Sequence, residues 1–173
     1  MPRVSVFIAS SIDNYIATSD DGLDWLDEAV GPGEDYGYDA LMSTVDALAM
    51  GRGTWDVIAS IDPLPFGERR LFAFSHRQPT EERAGVTFWE RSPRAAMDEW
   101  DRLGIDHVYL DGGQLISSFL ADGLVDDLVL TKIPVLLRSG RPLFTPIERS
   151  TALRLDGVET FPSGIVNLRY SRA

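Results

Sequence analysis

Cysteine is absent from the 173-residue chain, and this absence excludes several kinds of chemistry at once. Disulfide bonds, thiolate metal sites and thiol nucleophiles all need cysteine. A chain without cysteine is typical of a protein of the reducing cytoplasm, and we expect that location. Histidine is also scarce, with only His76 and His107, and no pattern around them indicates a Ser-His-acid triad.

Basic residues are outnumbered by acidic ones, 16 to 27, which gives a formal net charge of −11. An average field of this sign repels nucleic acid and anionic membranes, so we expect neither as a partner. A small phosphate-bearing ligand remains compatible with this charge. Charges more than ~10 Å apart are largely screened, so a few local arginines decide such a site.

Long apolar runs are missing too, and no run reaches the length of a transmembrane helix. The run at residues 4–9 is short and β-branched and leads into the polar SSIDN, which is typical of a buried strand and not of a signal peptide. Apolar residues make up 44% of the chain, enough for a substantial core. The length suits one domain over residues 1–173.

Apolar periodicity predicts strands alternating with helices through the first two thirds of the chain, and strands alone thereafter. The predicted strands are residues 4–9, 45–50, 71–74, 86–89, 107–110, 125–136, 152–158 and 165–170. Helices are predicted over residues 38–45, 54–60 and 93–103 and from Gly113 onward, and residues 18–37 are expected to form a loop long enough to cover a site. The fold class is therefore α/β, a mixed, mostly parallel sheet flanked by helices with antiparallel strands at the C-terminal end.

Two predicted strand-to-helix junctions share a glycine pattern, AMGRGTW at residues 49–55 and YLDGGQLI at residues 109–116. Glycine lets backbone approach a ligand closely, and the first amides of a helix are unpaired donors at the positive end of its dipole. Each junction alone is more often ordinary turn chemistry, and neither matches a complete phosphate-binding or dinucleotide fingerprint.

A third junction strengthens the interpretation, because the predicted strand LFAF ends in Ser75, His76 and Arg77. Arginine is suited to bidentate hydrogen bonding with phosphate, although this junction considered alone would equally fit a solvated loop. Ligands of open α/β sheets bind at the carboxyl ends of the strands, where all three junctions fall. Together they favour one elongated ligand with several phosphates.

In this order the motifs resemble the dihydrofolate reductase fold, and in particular the reductase domain that forms the C-terminal half of RibD, the bifunctional riboflavin-biosynthesis deaminase-reductase. The resemblance covers nearly the whole chain and is carried by VSVFIASSIDNYIA, MGRGTW, LFAFSHR, VYLDGGQLISSFL, and VDDLVLTKIPVLL followed by RPLF. It implies NADPH as the cofactor. The zinc motif of the deaminase half needs cysteine and is therefore excluded.

The resemblance implies positions for each part of NADPH. Backbone groups of Ala9 and Ile16 would meet the nicotinamide carboxamide. The adenosine 2′-phosphate would lie among Ser75, His76 and Arg77, with Arg91 and Ser92 near the same end. The phosphates between would be held at two helix starts, formed by Gly51, Arg52, Gly53 and Thr54 and by Gly112, Gly113, Gln114, Leu115 and Ile116. In this picture His76 contacts phosphate, whereas His107, which begins a predicted strand, is structural.

For the substrate, the resemblance implies an acid near the start of the first helix. Counting back from MGRGTW gives Asp35 as the catalytic residue, with Glu34 and Asp39 as alternatives. A carboxylate in the first turn of a helix also stabilises that helix without any chemistry, so this explanation of Asp35 stays open.

Four further residues are candidates for substrate binding. Tyr36 and Tyr38 would flank a planar substrate, although aromatic residues on this helix are equally expected in the core. Asp111 resembles the acid found before the glycine pair in riboflavin-pathway reductases, which favours a polar substrate. Thr131 matches a position near the substrate pocket of dihydrofolate reductases.

These features indicate an NADPH-dependent reductase that transfers a hydride to a small heterocycle or carbonyl compound. Reduction of 5-amino-6-(5-phosphoribosylamino)uracil in riboflavin biosynthesis ranks ahead of dihydrofolate reduction, and a reductase with another substrate is an equal alternative. A nucleotide-binding module without turnover is the alternative from a different class. We expect a small-molecule substrate and no metal, and the strand-rich C-terminal part is where a homodimer interface would form.

Overall fold

The structure, a computed structural model, describes residues 1–31, 33–77, 83–146 and 150–173. The strands, numbered in chain order, are β1 (Arg3–Ser11), β2 (Tyr15–Ala17), β3 (Ala47–Gly51), β4 (Arg70–Phe74), β5 (Val86–Trp89), β6 (His107–Asp111), β7 (Asp127–Ile133), β8 (Arg141–Pro142), β9 (Leu153–Thr160) and β10 (Val166–Arg172). The helices are α1 (Asp24–Ala29), α2 (Tyr38–Met42), α3 (Arg52–Ile58), α4 (Pro93–Arg102) and α5 (Gly113–Ala121).

Eight of the strands form one sheet, in the order β5-β4-β3-β6-β1-β7-β10-β9. The six strands from β5 to β7 are parallel to their neighbours, whereas β10 is antiparallel to both β7 and β9. Parallel neighbours need crossover connections, which the helices supply, and the last two strands follow each other without a helix. The predicted α/β class, with its antiparallel C-terminal end, is confirmed.

Several element boundaries differ from the sequence predictions. The segment 18–37, expected to be a loop, includes α1, which buries Trp25. The first helix ends at Met42 instead of residue 45, and α3 begins at Arg52, two residues earlier than predicted. The strand expected to continue to residue 136 ends at Ile133, before Pro134, which lacks the N–H that a strand ladder uses. The short ribbon of β2 and β8 was not predicted, because such brief pairings leave no periodic pattern.

Alternating residues of the strands bury side chains on both faces of the sheet. On one face Val4, Val6 and Ile8 pack with residues of α4 and α5, and on the other Phe7 packs with residues of α1, α2 and α3. Trp100 of α4 is fully buried, and its ring stacks on Phe119 at a centroid distance of 5.7 Å. This double burial explains the nearly continuous apolar runs of the central strands.

We predict that Trp100→Ala lowers the free energy of unfolding by ~3–5 kcal/mol, because it leaves a large cavity in the aromatic cluster. Chemical denaturation would measure the loss. Leu136→Ala is the matched control, since Leu136 is 57% exposed and should change stability by less than ~0.5 kcal/mol. Similar losses in the two variants would contradict this view of the core.

Candidate functional site

The three predicted anion-binding junctions lie side by side at the carboxyl ends of neighbouring strands of the sheet. Strands β4, β3, β6 and β1 are neighbours and run parallel, so their carboxyl ends lie on the same side of the sheet. With neighbouring strands ~4.8 Å apart, the ends from β4 to β1 span ~14 Å. Residues 75–77 follow β4, residues 51–54 follow β3 and residues 112–116 follow β6. The carboxyl ends of these four strands therefore suit an elongated ligand that lies across them.

Helix α3 begins without a side-chain cap, because the residue before it is Gly51. A Cβ built on Gly53 would meet no atom within 4 Å, so the space beside the first turn is open. The side chain of Arg52 also lies at this turn, where its Nε donates to Asp56 Oδ1 at 2.7 Å. The amides of this turn are thus available to an anion, with one guanidinium beside them.

Helix α5 begins in the same way, after Gly112, and also lacks a side-chain cap. Gly112 has a φ of +93°, and a Cβ there would lie 2.8 Å from Thr54 Oγ1 on α3. A Cβ on Gly113 would lie 2.6 Å from the carbonyl oxygen of Leu143. The two helix starts therefore touch each other, and only glycine allows this packing.

The residues after Gly113 divide into exposed and core positions. Gln114 is exposed, whereas Leu115 is buried close to Gly51. Ile116 is fully buried, and its amide already donates to the Gly112 carbonyl at 2.9 Å. Gln114 is thus the exposed residue of this first turn, while the Ile116 side chain packs in the core.

The SHR junction follows β4, the outermost of the three strands that end in a predicted junction, and its His76 and Arg77 side chains are exposed. The Ser75 hydroxyl donates to the Arg77 carbonyl at 2.8 Å and accepts from the Arg77 amide at 3.0 Å, which closes a turn. His76 is 91% exposed, with Nδ1 2.9 Å from a Glu90 carboxylate oxygen. Residues 78–82, which follow, lie outside the described part of the chain. The His76 imidazole and the Arg77 guanidinium are both accessible to a ligand at this end.

The neighbouring Arg91 and Ser92 have identifiable structural partners. The Arg91 guanidinium lies 4.9 Å from the centre of the Trp89 ring. The Ser92 hydroxyl caps α4 by accepting from the Ala95 amide at 3.3 Å, with Pro93 in the first helical position. This helix start is the one that the Ser-Pro pair predicts, so its boundary is confirmed.

Asp111 is the last residue of β6 and is half-buried. Its Oδ1 accepts from the Gly112 amide at 2.7 Å, yet burial outweighs this bond and raises the pKa of Asp111 above its ordinary value. Its negative charge, after burial, is among the causes that raise the pKa values of Tyr38 and Tyr109. An acid whose ionisation is opposed by burial therefore lies beside two tyrosines.

Tyr38 packs edge-on against two aromatic rings, with centroids 5.8 Å from Phe7 and 5.9 Å from Tyr109. The Tyr109 hydroxyl donates to the Phe7 carbonyl at 2.9 Å, which holds this group in place. Tyr38 itself is half-buried at the start of α2, so its ring is partly open to a ligand. Phe7 and Tyr109 were missed from the sequence because each looks like an ordinary core residue of a strand.

Asp35 is exposed, and its carboxylate caps the start of α2. Its oxygens accept from the Asp39 amide at 2.8 Å and the Gly37 amide at 3.2 Å, and these two bonds lower the pKa of Asp35. The alternatives Glu34 and Asp39 are exposed as well. The helix-stabilising role expected as one explanation is therefore present, and catalysis by Asp35 stays a prediction.

Tyr36 and Thr131 belong to a buried network that fixes the chain before α2. Tyr36 is buried with a φ of +56° and packs edge-on against Phe161 at 4.8 Å. Thr131 Oγ1 donates to Asn167 Oδ1 at 2.7 Å, and Asn167 Nδ2 donates to the Tyr36 carbonyl at 2.7 Å. Asn167 was missed from the sequence, although a polar residue inside the apolar run at residues 165–170 was a usable signal.

Ala9 pairs with Thr131 across β1 and β7, and Ile16 lies in β2 against the core. The turn between them is tied to β7 by Lys132, whose Nζ donates to Ser10 Oγ at 2.8 Å and Asn14 Oδ1 at 2.5 Å. The contacts of Ala9 and Ile16 with a nicotinamide stay predictions. Lys132 was missed because its reach across strands is not visible in the sequence.

His107 has a structural place at the opposite end of β6. It is buried, with Nε2 2.8 Å from Ser5 Oγ and Nδ1 3.1 Å from the Thr44 carbonyl oxygen. Asp46 Oδ2 accepts from its backbone amide at 2.9 Å. The expected structural role is confirmed by this hydrogen bonding.

Across residues 1–31, 33–77, 83–146 and 150–173, no three carboxylate or histidine side chains converge as metal ligands would. Over the same ranges, none of the helices has the length and apolar character needed to span a bilayer.

Comparison with known proteins identifies the family. Residues 66–167, more than half of the chain, match the RibD C-terminal domain. The protein YwjB of Bacillus subtilis, itself uncharacterized, is 34% identical over 99% of this chain and 98% of its own. A second uncharacterized Bacillus subtilis protein, YyaP, is 26% identical over 97% of this chain and 94% of its own. The chain belongs to the RibD C-terminal domain family.

Solved structures of similar proteins have the same fold as this chain. A putative riboflavin biosynthesis protein from Shewanella sp. PV-4 is 32% identical, with a TM-score of 0.91 and coverage of 99% of both chains. The deaminase/5-amino-6-(5-phosphoribosylamino)uracil reductase of Thermotoga maritima is 14% identical with a TM-score of 0.73, and this chain spans 57% of its length. The dihydrofolate reductase-like fold of RibD reductase domains, expected from the motifs, is confirmed, and the family match supports a riboflavin-pathway reductase-like role.

We predict opposite effects of Asp111→Asn and Asp35→Asn on stability near neutral pH. Because the folded pKa of Asp111 is raised, ionisation costs stability as pH rises through that value, and the amide removes the cost. Because the folded pKa of Asp35 is lowered, its carboxylate stabilises the fold above the ordinary value of 3.8, and this contribution is lost as pH falls through the lowered pKa.

Thermal unfolding from neutral to acidic pH would measure both effects. Asp111→Asn should raise the unfolding midpoint at neutral pH and Asp35→Asn should lower it, with both differences shrinking once the two carboxyl groups are protonated. Shifts of the same sign at neutral pH would contradict the contrast between the two environments.

Proposed function

We propose that this protein is an NADPH-dependent reductase that transfers a hydride to a small planar heterocycle or carbonyl compound. The single observation that carries the proposal is the pair of uncapped glycine helix starts, in contact with each other, directly beside a half-buried acid and an aromatic ring. Membership of the RibD C-terminal domain family supports it.

The chain's own groups fit the phosphates of such a cofactor. First-turn amides of α3 and α5 would bind the central phosphates, because helix starts are positive and their donors are unpaired. Ser75 and the exposed His76 and Arg77 would bind the 2′-phosphate, because they follow β4, one strand from α3 and two strands from α5. Arg52 adds a cation that the overall charge of −11 does not supply. The nicotinamide of the bound cofactor supplies the hydride.

The acids on the substrate side would have different tasks. Asp111, whose pKa is raised by burial, is suited to hold a proton at its carboxyl group and donate it to the substrate. Asp35, whose pKa is lowered, stays ionised and is suited to accept a hydrogen bond from a substrate N–H. Tyr38 would stack against the planar ring and limit water at the reacting atoms.

For the substrate, 5-amino-6-(5-phosphoribosylamino)uracil is our first candidate and dihydrofolate the second. The first rests on the family and on the reductase activity named for the Thermotoga maritima protein. A nucleotide-binding protein without turnover is the alternative class. One observation favours this alternative: both oxygens of Asp35 already accept hydrogen bonds from backbone amides at the start of α2, so Asp35 has a structural role that needs no turnover.

We predict that Gly53→Ala weakens NADPH binding without harming the fold. A Cβ there meets no protein atom within 4 Å, and alanine should stabilise the helix by up to ~1 kcal/mol relative to glycine. The same methyl group would occupy space that we assign to phosphate. Calorimetric titration with NADPH and thermal unfolding would measure the two effects separately, and the expected change is about a tenfold rise in Kd.

Gly157→Ala is the matched control, because its Cβ also meets no protein atom but lies in β9, away from the helix starts. It should leave NADPH affinity unchanged. If Gly53→Ala binds NADPH as tightly as the wild type, the placement of phosphate at α3 is wrong. If neither NADPH nor NADH raises the unfolding temperature of the wild type, the cofactor assignment fails.

We predict that the wild type oxidises NADPH in the presence of a pyrimidine or pterin substrate and that Asp111→Asn and Asp35→Asn reduce kcat by at least about tenfold, a modest value for loss of a proton donor or a positioning acid. Both variants should still bind NADPH. Asp24→Asn, a change in an exposed acid of α1, is the control and should retain full activity. NADPH binding with no oxidation of NADPH by any candidate would favour the non-catalytic alternative.

A further inference from the structure

The end of the candidate site that we assign to the adenosine 2′-phosphate contains an acid as well as basic residues. Strands β4 and β5 are parallel neighbours, Phe74 pairs with Trp89, and the Ser75 amide donates to the Trp89 carbonyl at 2.9 Å. The residues that follow the two strands, 75–77 and 90–91, therefore lie next to each other at the same end of the sheet. Among these five residues the basic side chains are His76, Arg77 and Arg91, and the single acid is Glu90.

Glu90 is hydrogen-bonded to His76, one of the residues that we assign to the 2′-phosphate. His76 Nδ1 lies 2.9 Å from Glu90 Oε1, and because an ionised carboxylate only accepts hydrogen bonds, the imidazole is the donor. The two side chains are 91% and 63% exposed, respectively. Exposed pairs of this kind contribute little to stability, so a ligand can replace either partner at low cost.

The acid and the basic residues suit different groups at the 2′ position of an adenosine ribose. A carboxylate accepts a hydrogen bond from the free 2′-hydroxyl of NADH, whereas arginine accommodates the 2′-phosphate of NADPH. Arg77 is exposed and offers its guanidinium to such a phosphate. Glu90, which is exposed and already accepts one hydrogen bond, has further lone pairs for a hydroxyl. This end of the site therefore contains partners for both cofactors.

We propose that Glu90 is a specificity-determining residue that limits the preference for NADPH and lets the same site accept NADH. With NADH, the Glu90 carboxylate accepts from the 2′-hydroxyl while it stays hydrogen-bonded to His76. With NADPH, the 2′-phosphate takes His76 and Arg77 as its partners, and the negative charge of Glu90 repels it. The inference rests on the proposed function and concerns the choice between two forms of its cofactor.

Competition for one imidazole is the physical basis of this limited preference. The 2′-phosphate has a charge of about −1.5 to −2 near neutral pH, and it would share His76 with the Glu90 carboxylate. Two negative groups that compete for one donor repel each other, but water and salt screen this repulsion at an exposed position. NADPH should therefore remain the tighter ligand, by a smaller factor than the basic residues alone would produce.

We predict that Glu90→Gln raises the preference for NADPH, expressed as the ratio of the Kd values for NADH and NADPH, by about tenfold or more. The amide has nearly the same size but no negative charge. It no longer repels the 2′-phosphate, so the Kd for NADPH should fall. It is also a weaker acceptor for the 2′-hydroxyl, so the Kd for NADH should rise. Calorimetric titration of the purified protein with each dinucleotide would measure both values.

Glu68→Gln is the matched control for the change in charge. Glu68 is exposed and lies before β4, at the opposite end of that strand from His76. Its replacement should leave the ratio of the two Kd values unchanged. Thermal unfolding without ligand would verify that both variants are folded.

Cofactor fragments would locate the effect at the adenosine end. Adenosine 2′,5′-bisphosphate should bind Glu90→Gln more tightly than the wild type, by about the same factor as NADPH does. ADP, in which the 2′-hydroxyl is free, should bind the variant no more tightly than the wild type. A general change in the site would instead shift the affinities of both fragments in the same direction.

The possible results separate this inference from the proposed function. A ratio of Kd values that Glu90→Gln leaves unchanged would overturn the inference alone. A wild type that binds NADPH but shows no binding of NADH at millimolar concentrations would do the same. A wild type that binds neither dinucleotide would overturn both the inference and the proposed function.

Discussion

The close contact between the starts of α3 and α5 is the constraint on which the candidate site depends. Gly112 leaves no room for a Cβ beside Thr54, and Gly113 lies against the backbone of residues 142–143. This packing aligns two helix starts on neighbouring parallel strands, so their unpaired amides face the same edge of the sheet. The order of the strands then brings the SHR junction and the end of β1 into the same row. One packing contact thus organises a candidate binding site that four separate segments share.

Near the carboxyl ends of these strands, Asp111 and Asp35 lie in environments that shift their pKa values in opposite directions, a difference that the proposed chemistry would use. Asp111 loses solvent at the end of a buried strand, and this loss raises its pKa despite one amide hydrogen bond. Asp35 keeps its solvent and gains two amide donors at the start of α2, and these lower its pKa. The pKa values of the two carboxyl groups therefore shift in opposite directions, upward by burial at Asp111 and downward by amide hydrogen bonds at Asp35.

Several parts of this arrangement were predictable because they depend on short-range chemistry. The glycine junctions, the Ser92-Pro93 helix start and the alternation of strands and helices all leave local patterns, and each pattern led to the right element. Helix α1 was missed because its few apolar residues are too short a sample for periodicity. Asn167, Lys132 and Tyr109 were missed because their partners lie far away in the chain.

The sequence by itself determined the fold class and the three junctions suited to an anion, because apolar periodicity and glycine chemistry act within a few residues, and its motifs carried the resemblance to the family. Only the tertiary structure decided that these junctions form one row, that Asp111 is driven towards its neutral form and Asp35 towards its ionised form, and that Thr131 acts through Asn167 on the chain before α2. It also decided that Asp156 is a bulged residue of β9, so that Leu155 and Val158 share one face of the sheet. These properties arise from strand order, burial and hydrogen-bond partners, which depend on residues that are distant in the chain and close only after folding.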